Sequence, residues 1–347
     1  MTIYEKLHEP AFSSFSILTF FVVSAAVYSA QPDLLVFDSD GEQSLDVLVF
    51  GAEGPPEIAS SLQGSEFTLT PLLSGPARSR AAASGDFDRD GDQDLVFFAG
   101  HATHYVINNG DGHFESSSDA ESIFSNGKGS ALKAADVNGN GWTDFFAAIQ
   151  HDDDTESELR FLAQPLVPDD ISSIKGKQGF CCVVHQVLAL EGDFLLVSPG
   201  ALALATFDGQ VQSIIKIGNG VLHAGLADID NDGDQDVVSV AADNTLEILL
   251  NHGDRRFAPA KLGVTGFKSV EQFTLADFDN DGNTDLVLLT AGELLFLTGH
   301  GRRGFTPGEH PINGLKVTET SRLVAHDLNF DGAPELLLLG VDGGLRI

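Results

Sequence analysis

The sequence predicts an all-β chain folded as a seven-bladed β-propeller whose seventh blade is incomplete at the C-terminus, and three observations predict it. A nine-residue acidic pattern recurs at steps of about 50 residues, a short apolar run follows it, and a Gly-rich turn closing on an aromatic residue comes about 20 residues later. A chain of 347 residues is long for one compact core and suits two domains or one large repeat architecture, so the repetition decides the organisation.

Three copies of the acidic pattern are nearly identical: Asp86, Asp88, Asp90 and Asp94 around Gly91; Asp228, Asp230, Asp232 and Asp236 around Gly233; and Asp277, Asp279, Asp281 and Asp285 around Gly282. Two softer copies are Asp136, Asn138, Asn140 and Asp144 around Gly141, and Asp327, Asn329, Asp331 and Glu335 around Gly332. An irregular copy keeps acids at Asp38, Asp40, Glu42 and Asp46 but has Gln43 where the others have Gly. The ninth positions therefore fall at 46, 94, 144, 236, 285 and 335, separated by 48, 50, 92, 49 and 50 residues. The long gap hides a degenerate seventh copy at Glu191, Gly192 and Asp193 with a shortened turn.

The apolar runs that follow, LVFFAG from Leu95, VVSVAA from Val237, LVLLTA from Leu286 and LLLLG from Leu336, are too short for helices and are rich in strand-forming residues bounded by Gly. The Gly-rich turns end at Phe67, Phe114, Phe257 and Phe305, hairpin corners whose rings are expected to pack between sheets. Each unit thus holds four short strands, the signature of a propeller blade, and seven units make one architecture.

Oxygen side chains at positions 1, 3 and 5, with Gly at 6 for the sharp turn, let a loop wrap a hard cation. Position 7 can add a carbonyl and position 9 a carboxylate, which meets the oxygen coordination calcium prefers. An EF-hand would need Glu at position 12 and flanking helices; here position 12 is Phe97, Ser239 and Leu288. Magnesium is disfavoured because it retains several waters. The competing account is a metal-free turn held by side-chain hydrogen bonds, and it weighs most for the loops at Asp38 and Asp136. Five or six structural calcium ions are expected.

Acidic loop, apolar strand and NGDGxF corner together resemble the FG-GAP/VCBS repeat family, the calcium-loop propellers related to integrin α-subunit heads. The resemblance runs from about Leu34 to the end of the sequence. It implies a propeller in which the acidic loop joins the first two strands of each blade, with calcium ligands at the acids and Asn residues named above. No Arg-Gly-Asp sequence is present, so adhesion to integrin ligands is not implied.

Residues 1–30 stand apart from the propeller expected over 31–347. Their stretch AFSSFSILTFFVVSAAVYSA carries no charge and ends in small residues, which resembles a secretory signal or a membrane anchor. The sequence ends twelve residues after Glu335, leaving the seventh blade with two strands, and residues 12–27 are an alternative source of strands to complete it.

The remaining chemistry is sparse. With 19 Lys and Arg against 51 Asp and Glu, the net charge is -32, which excludes nucleic acid as a partner; 42% hydrophobic residues exclude a solvating acidic tail. The six acidic loops contribute 21 of the 51 acids as proposed ligands, so the excess is largely local and is answered in part by bound metal. Cys181 and Cys182 are adjacent and exclude a disulfide framework. His101, His104, the run 151–154, Asp243 and Asn244 are expected on the face opposite the acidic loops, where a small-molecule site would lie. Arg255, Arg256, Arg302 and Arg303 sit at equivalent corners and offset nearby acids. No nucleophile elbow, HExxH or P-loop occurs. The expected function is a non-catalytic, calcium-stabilised propeller, extracellular, periplasmic or on the cell surface, that binds an unidentified protein or glycan. Its contact with membrane is limited to an N-terminal anchor. The alternative is a polysaccharide lyase or hydrolase using the opposite face, which would need convergent His, Tyr, Arg or Lys there.

Overall fold

The second strand of each repeat is composed to be covered on both faces. Runs such as DLVFFA at Asp94–Ala99 and DVVSVA at Asp236–Ala241 lack the polar alternation of a half-solvated strand. In the computed structural model, Asp46–Phe50, Asp193–Ser198 and Asp236–Ala241 are buried from end to end.

The structure describes residues 32–41, 44–51, 53–60, 68–110, 112–117, 128–136, 141, 143–150, 157–163, 171–175, 184–190, 192–199, 201–206, 211–215, 221–241, 243, 245–253, 256–260, 270–317 and 320–346. Outside them lie residues 1–30, Glu42, Phe67, Asn138, Asn140, residues 151–154, Cys181, Cys182, Asn244 and Arg255.

The strands form seven antiparallel sheets, each in chain order, the blades of a seven-bladed β-propeller. Blade 1 comprises Asp33–Phe37, Asp46–Phe50, Glu57–Ala59 and Leu69–Pro71; blade 2, Ser79–Gly85, Asp94–Ala99, Ala102–Asn108 and Phe114–Ser116. Blade 3 comprises Lys128–Ala135, Asp144–Gln150, Ser157–Ala163 and Ile171–Lys175; blade 4, Gln186–Leu190, Asp193–Ser198, Ala201–Thr206 and Val211–Ile215. Blade 5 comprises Val221–Ala227, Asp236–Ala241, Leu246–Asn251 and Phe257–Ala260; blade 6, Val270–Ala276, Asp285–Thr290, Glu293–Gly299 and Phe305–Pro307. Blade 7 has Thr320–His326, Glu335–Gly340 and Leu345–Arg346. Its third strand corrects the expectation of two. Gly343, at φ 82°, turns the chain within a few residues, and Leu345 and Arg346 pair with Leu339 and Leu338.

The ninth acid is the first residue of the second strand in every blade: Asp46, Asp94, Asp144, Asp193, Asp236, Asp285 and Glu335. Blade 4 keeps this acid without the loop, as expected of the degenerate copy. The acidic loops therefore join first and second strands. Phe114, Phe257 and Phe305 each open a fourth strand, after corners closed by the bonds Asn109 N–H to His113 O, His252 N–H to Arg256 O and His300 N–H to Gly304 O, each 2.9 Å.

The chain divides into two compact units, the boundary falling after Leu222 within the first strand of blade 5. In the unit of blades 1 to 4, Phe37, Phe50, Leu95 and Phe97 join blades 1 and 2. Phe87, Phe98 and Phe145 join blades 2 and 3, and Phe146 meets Phe194 with ring centroids 4.6 Å apart. Gly129 is required there, since a Cβ would lie 1.8 Å from the Phe98 ring. In the unit of blades 5 to 7, Val238, Leu288 and Phe305 share one cluster, and Leu289, Phe296, Leu323 and Leu338 another. Backbone donors of the first strand of blade 7 reach side chains of blade 6: Leu323 N–H to Gln272 Oε1 at 2.8 Å and Ala325 N–H to Thr274 Oγ1 at 2.9 Å. A strand edge that would otherwise template further pairing is thereby occupied.

Candidate metal centres on the repeat loops

Each loop is wound by its own acids before any ion is considered. The first-position carboxylate accepts the amide of the sixth-position Gly: Asp86 from Gly91 at 3.2 Å, Asp228 from Gly233 at 3.0 Å, Asp277 from Gly282 at 3.0 Å, Asp136 from Gly141 at 2.8 Å and Asp327 from Gly332 at 2.8 Å. The fifth-position acids Asp90, Asp232, Asp281 and Asp331 accept the amide two residues on, the Asx-turn arrangement. The sixth-position Gly residues have φ between 83° and 102°, a region that costs other residues strain.

Position 4 is also left-handed, at Arg89 (φ 73°), Asn231 (59°), Asn280 (60°) and Phe330 (54°). Asn at 231 and 280, a residue tolerant of that conformation, was the sequence signal for it. The same requirement accounts for the irregular loop, where Gly41 at position 4 has φ 70° and donates its amide to Asp38 at 2.8 Å.

The ninth acid has a different task. Asp94 accepts Phe87 N–H and Asn108 N–H, both at 2.8 Å; Asp236 accepts Ile229 N–H at 2.8 Å and Asn251 N–H at 2.7 Å; Asp285 accepts Phe278 N–H at 2.8 Å and Gly299 N–H at 2.7 Å. One carboxylate oxygen thus ties the loop and the other ties the end of the third strand. All three residues are fully buried. Burial raises their pKa, to about 6 for Asp94 and Asp236 and about 7 for Asp285, with the amide bonds opposing it. Glu335 is raised to about 7 for the same reason.

Among the described residues, four groups bring three carboxylates together with ligand atoms within 4.8 Å of one another: Asp38, Asp40 and Asp46; Asp86, Asp88 and Asp90; Asp228, Asp230 and Asp236; Asp277, Asp279 and Asp285. Asp94, Asp232 and Asp281 fall outside these groups, and among the described residues Asp327, Asp331 and Glu335 do not form one; the loop at Asp136 offers only two acids, Asp136 and Asp144. Like charges crowd in the groups: burial and neighbouring carboxylates raise Asp88, Asp230 and Asp277, with Arg302 opposing the shift at Asp230. Asp230 Oδ1 is buried and, among the described residues, accepts no hydrogen bond. A buried carboxylate oxygen without a donor is costly, and a hard cation supplies what it lacks. The donor set and this oxygen fit a metal ion.

In the loops of blades 5, 6 and 7 a cavity of about 700 Å³ is lined by Asp228, Asn231, Asp277, Asn280, His326 and Asp327 among others. It lies on the acidic-loop side, whereas the sequence placed a small-molecule site on the opposite face. Of the residues expected there, His101 and His104 are exposed in blade 2 and join no metal-capable group among the described residues. Asp243 accepts the Thr245 amide at 3.1 Å and its hydroxyl at 2.6 Å, which makes it a turn residue. Among the arginines, Arg256 braces its own corner through His252 O and Gly253 O, while Arg302 reaches Asp230 at 3.4 Å.

A family model described as an FG-GAP-like repeat matches residues 86–147, 228–288 and 277–338. No curated protein sequence matches the chain. Among solved structures, an Agrocybe aegerita lectin that specifically recognises non-reducing terminal N-acetylglucosamine superposes with a TM-score of 0.60 at 18% identity, covering 90% of this chain and 86% of the lectin chain. BBS1N in complex with ARL6DN, soaked with lead, superposes with a TM-score of 0.59 at 10% identity, covering 95% and 97%. These likenesses show a shared fold.

Proposed function

The chain belongs to the FG-GAP-like repeat propellers, and from that premise we propose that it is a non-catalytic, calcium-stabilised binding propeller that works outside the cytoplasm and presents its faces to a protein or glycan partner. One observation carries the calcium reading: a group of three converging carboxylates recurs in four blades, from positions 1, 3 and 9 of the loop in blades 1, 5 and 6 and from positions 1, 3 and 5 in blade 2. Asp38, Asp40 and Asp46, Asp86, Asp88 and Asp90, Asp228, Asp230 and Asp236, and Asp277, Asp279 and Asp285 would hold the ions. The loops at Asp136 and Asp327, which the repeat pattern also nominates, are weaker candidates because Asn replaces Asp in both.

Calcium there would cross-link a turn and neutralise its acids, stabilising the native state by RT ln(1 + [Ca]/Kd) at each site. If these loops bind calcium in the range of extracellular modules, about 10⁻⁴–10⁻³ M, they would fill only outside the cytoplasm, and this is the ground for an extracellular, periplasmic or cell-surface location. Among the described residues no helix is long and apolar enough to cross a membrane. A binding role is supported by the relatives of similar fold, one a lectin and one solved with a partner protein, and by the absence of any catalytic motif in the sequence.

Calcium titration of the purified protein, followed by thermal melting and by metal analysis, tests the reading. Bound calcium and a melting temperature that falls on chelation are expected; the absence of both would refute it. Glycan and protein arrays on the calcium-loaded form then distinguish a lectin from a protein binder.

A further inference from the structure

Arg302 belongs to the Gly-rich corner of blade 6, yet its guanidinium lies against the acidic loop of blade 5, with Nε 3.4 Å from Asp230 Oδ2. Asp230 is 7% exposed while the Arg302 side chain is 71% exposed, so a solvent-side cation lies in ion-pair contact with a buried carboxylate. The other oxygen, Oδ1, is buried and has no hydrogen-bond partner among the described residues. Two further contacts join these blades at the same place: Asn231 Nδ2 donates to Asn283 Oδ1 at 2.7 Å, and Thr284 Oγ1 donates to Asp228 O at 3.2 Å. The corners of blades 2 and 5 carry an Asp, Asp111 and Asp254, where blade 6 carries Arg302.

We propose that Arg302 is a positioning residue for the cation site of the Asp228 loop: it engages one oxygen of Asp230 from the neighbouring blade and so presents the other to the ion. This rests on the calcium reading above. A ligating carboxylate is commonly oriented by an outer hydrogen-bonding partner, whose loss weakens metal binding. The opposing effect is repulsion between the guanidinium and the ion. Arg302 is mostly in water, where such repulsion is screened, while the orientation it imposes acts inside the buried group; orientation therefore wins. The ion, Asp230 and Arg302 then form a chain across the seam between blades 5 and 6, so that filling this loop also fastens the corner of blade 6.

The test is a calcium titration of the full chain read by hydrogen exchange, which gives a separate midpoint for residues 228–236 and for 86–94. R302Q should move the 228–236 midpoint to about five- to tenfold higher calcium, leave the 86–94 midpoint in place, and remove the calcium-dependent protection of residues 300–304. R303Q makes the same change in net charge beside it and should leave the 228–236 midpoint unchanged or slightly lower. In a D230N background, R302Q should cost nothing further. Melting in chelator confirms that each variant folds. An unchanged midpoint in R302Q, or equal shifts in R302Q and R303Q, would overturn the positioning role while leaving calcium binding intact. A lower midpoint in R302Q would show that the arginine competes with the ion, and would overturn it too. A wild-type protein that binds no calcium would remove the calcium reading and the role of Arg302 together.

Discussion

The loops of blades 6 and 7 have the same turn and different charge chemistry. In both, the first acid holds the Gly amide, at 3.0 Å from Gly282 and 2.8 Å from Gly332, and the ninth acid holds the second-position amide, Phe278 or Leu328, at 2.8 Å. In blade 6, Asp277, Asp279 and Asp285 converge. In blade 7, Asn329 replaces the middle acid and its Nδ2 donates to Glu335 Oε1 at 3.2 Å, where the corresponding oxygen of Asp285 in blade 6 accepts Gly299 N–H at 2.7 Å; the blade 7 loop thus has one carboxylate fewer and binds its ninth acid to its own third-position side chain. The difference teaches that the turn and the metal capacity are separable. Amides and glycine make the turn, and the third-position side chain decides whether carboxylates are left in excess. Blade 4 extends the point, since it retains Asp193 at the head of its second strand, 2% exposed, without any acidic loop.

The separation is broken most severely at the ninth position. Asp285→Ala strands two backbone donors, Phe278, partly buried, and Gly299, buried, and should destabilise the protein by about 3 kcal/mol, measured by denaturant unfolding in chelator. If the loss appears only when calcium is present, the ninth acid is a ligand without a structural task.

The next effect is on pH. Asp94 and Asp236 titrate near 6 and Asp285 and Glu335 near 7 in the folded chain, above their values when unfolded. Between about pH 4 and 7 the native state therefore holds more protons than the unfolded state, and stability falls as pH rises through that window. Metal-free protein should melt at a lower temperature at pH 7.5 than at pH 5. Saturating calcium should abolish or reverse the trend, because the ion binds the ionised carboxylates. A metal-free melting temperature that rises with pH would contradict the burial of these groups.

Exchanging the third position sharpens the comparison directly. Asp279→Asn should weaken calcium binding at the blade 6 loop by roughly tenfold while leaving metal-free stability within about 0.5 kcal/mol. Asn329→Asp should do the converse in blade 7, raising bound calcium by one ion per chain in metal analysis. Failure of both would place the difference elsewhere in the loops. The smallest effect is at position 4: Phe330, 52% exposed with φ 54°, occupies a conformation that Asn tolerates better. Phe330→Asn should stabilise by about 0.5 kcal/mol, read as a small rise in melting temperature with calcium binding unchanged.

The spacing of Asp46, Asp94, Asp144, Asp236, Asp285 and Glu335 located every second strand, and Gly91, Gly233 and Gly282 marked a turn that only a left-handed residue completes. Even the degenerate copy at Asp193 fell where the period required. Less of the site was legible. The loop at Asp38 looked deficient for want of Gly at position 6, yet Gly41 at position 4 provides a left-handed residue and its three acids meet. The loop at Asp327, a softer copy in the sequence, has Asn329 at position 3 and brings no three carboxylates together. Position in a pattern names the acids; it does not say which oxygens a backbone amide has already taken.

By itself, then, the sequence determined the all-β class, the seven repeats and the composition of each loop, because these follow from local periodicity and from the backbone demands of Gly and Asx residues within nine positions. Only the tertiary structure decided the double amide clamp on Asp94, Asp236 and Asp285, the packing of Phe98 on Gly129, and the reach of Arg302 to Asp230. Each of these joins residues on different strands or different blades. Burial and a neighbour's charge exist only once the sheets are stacked, and they set how much cation each loop calls for.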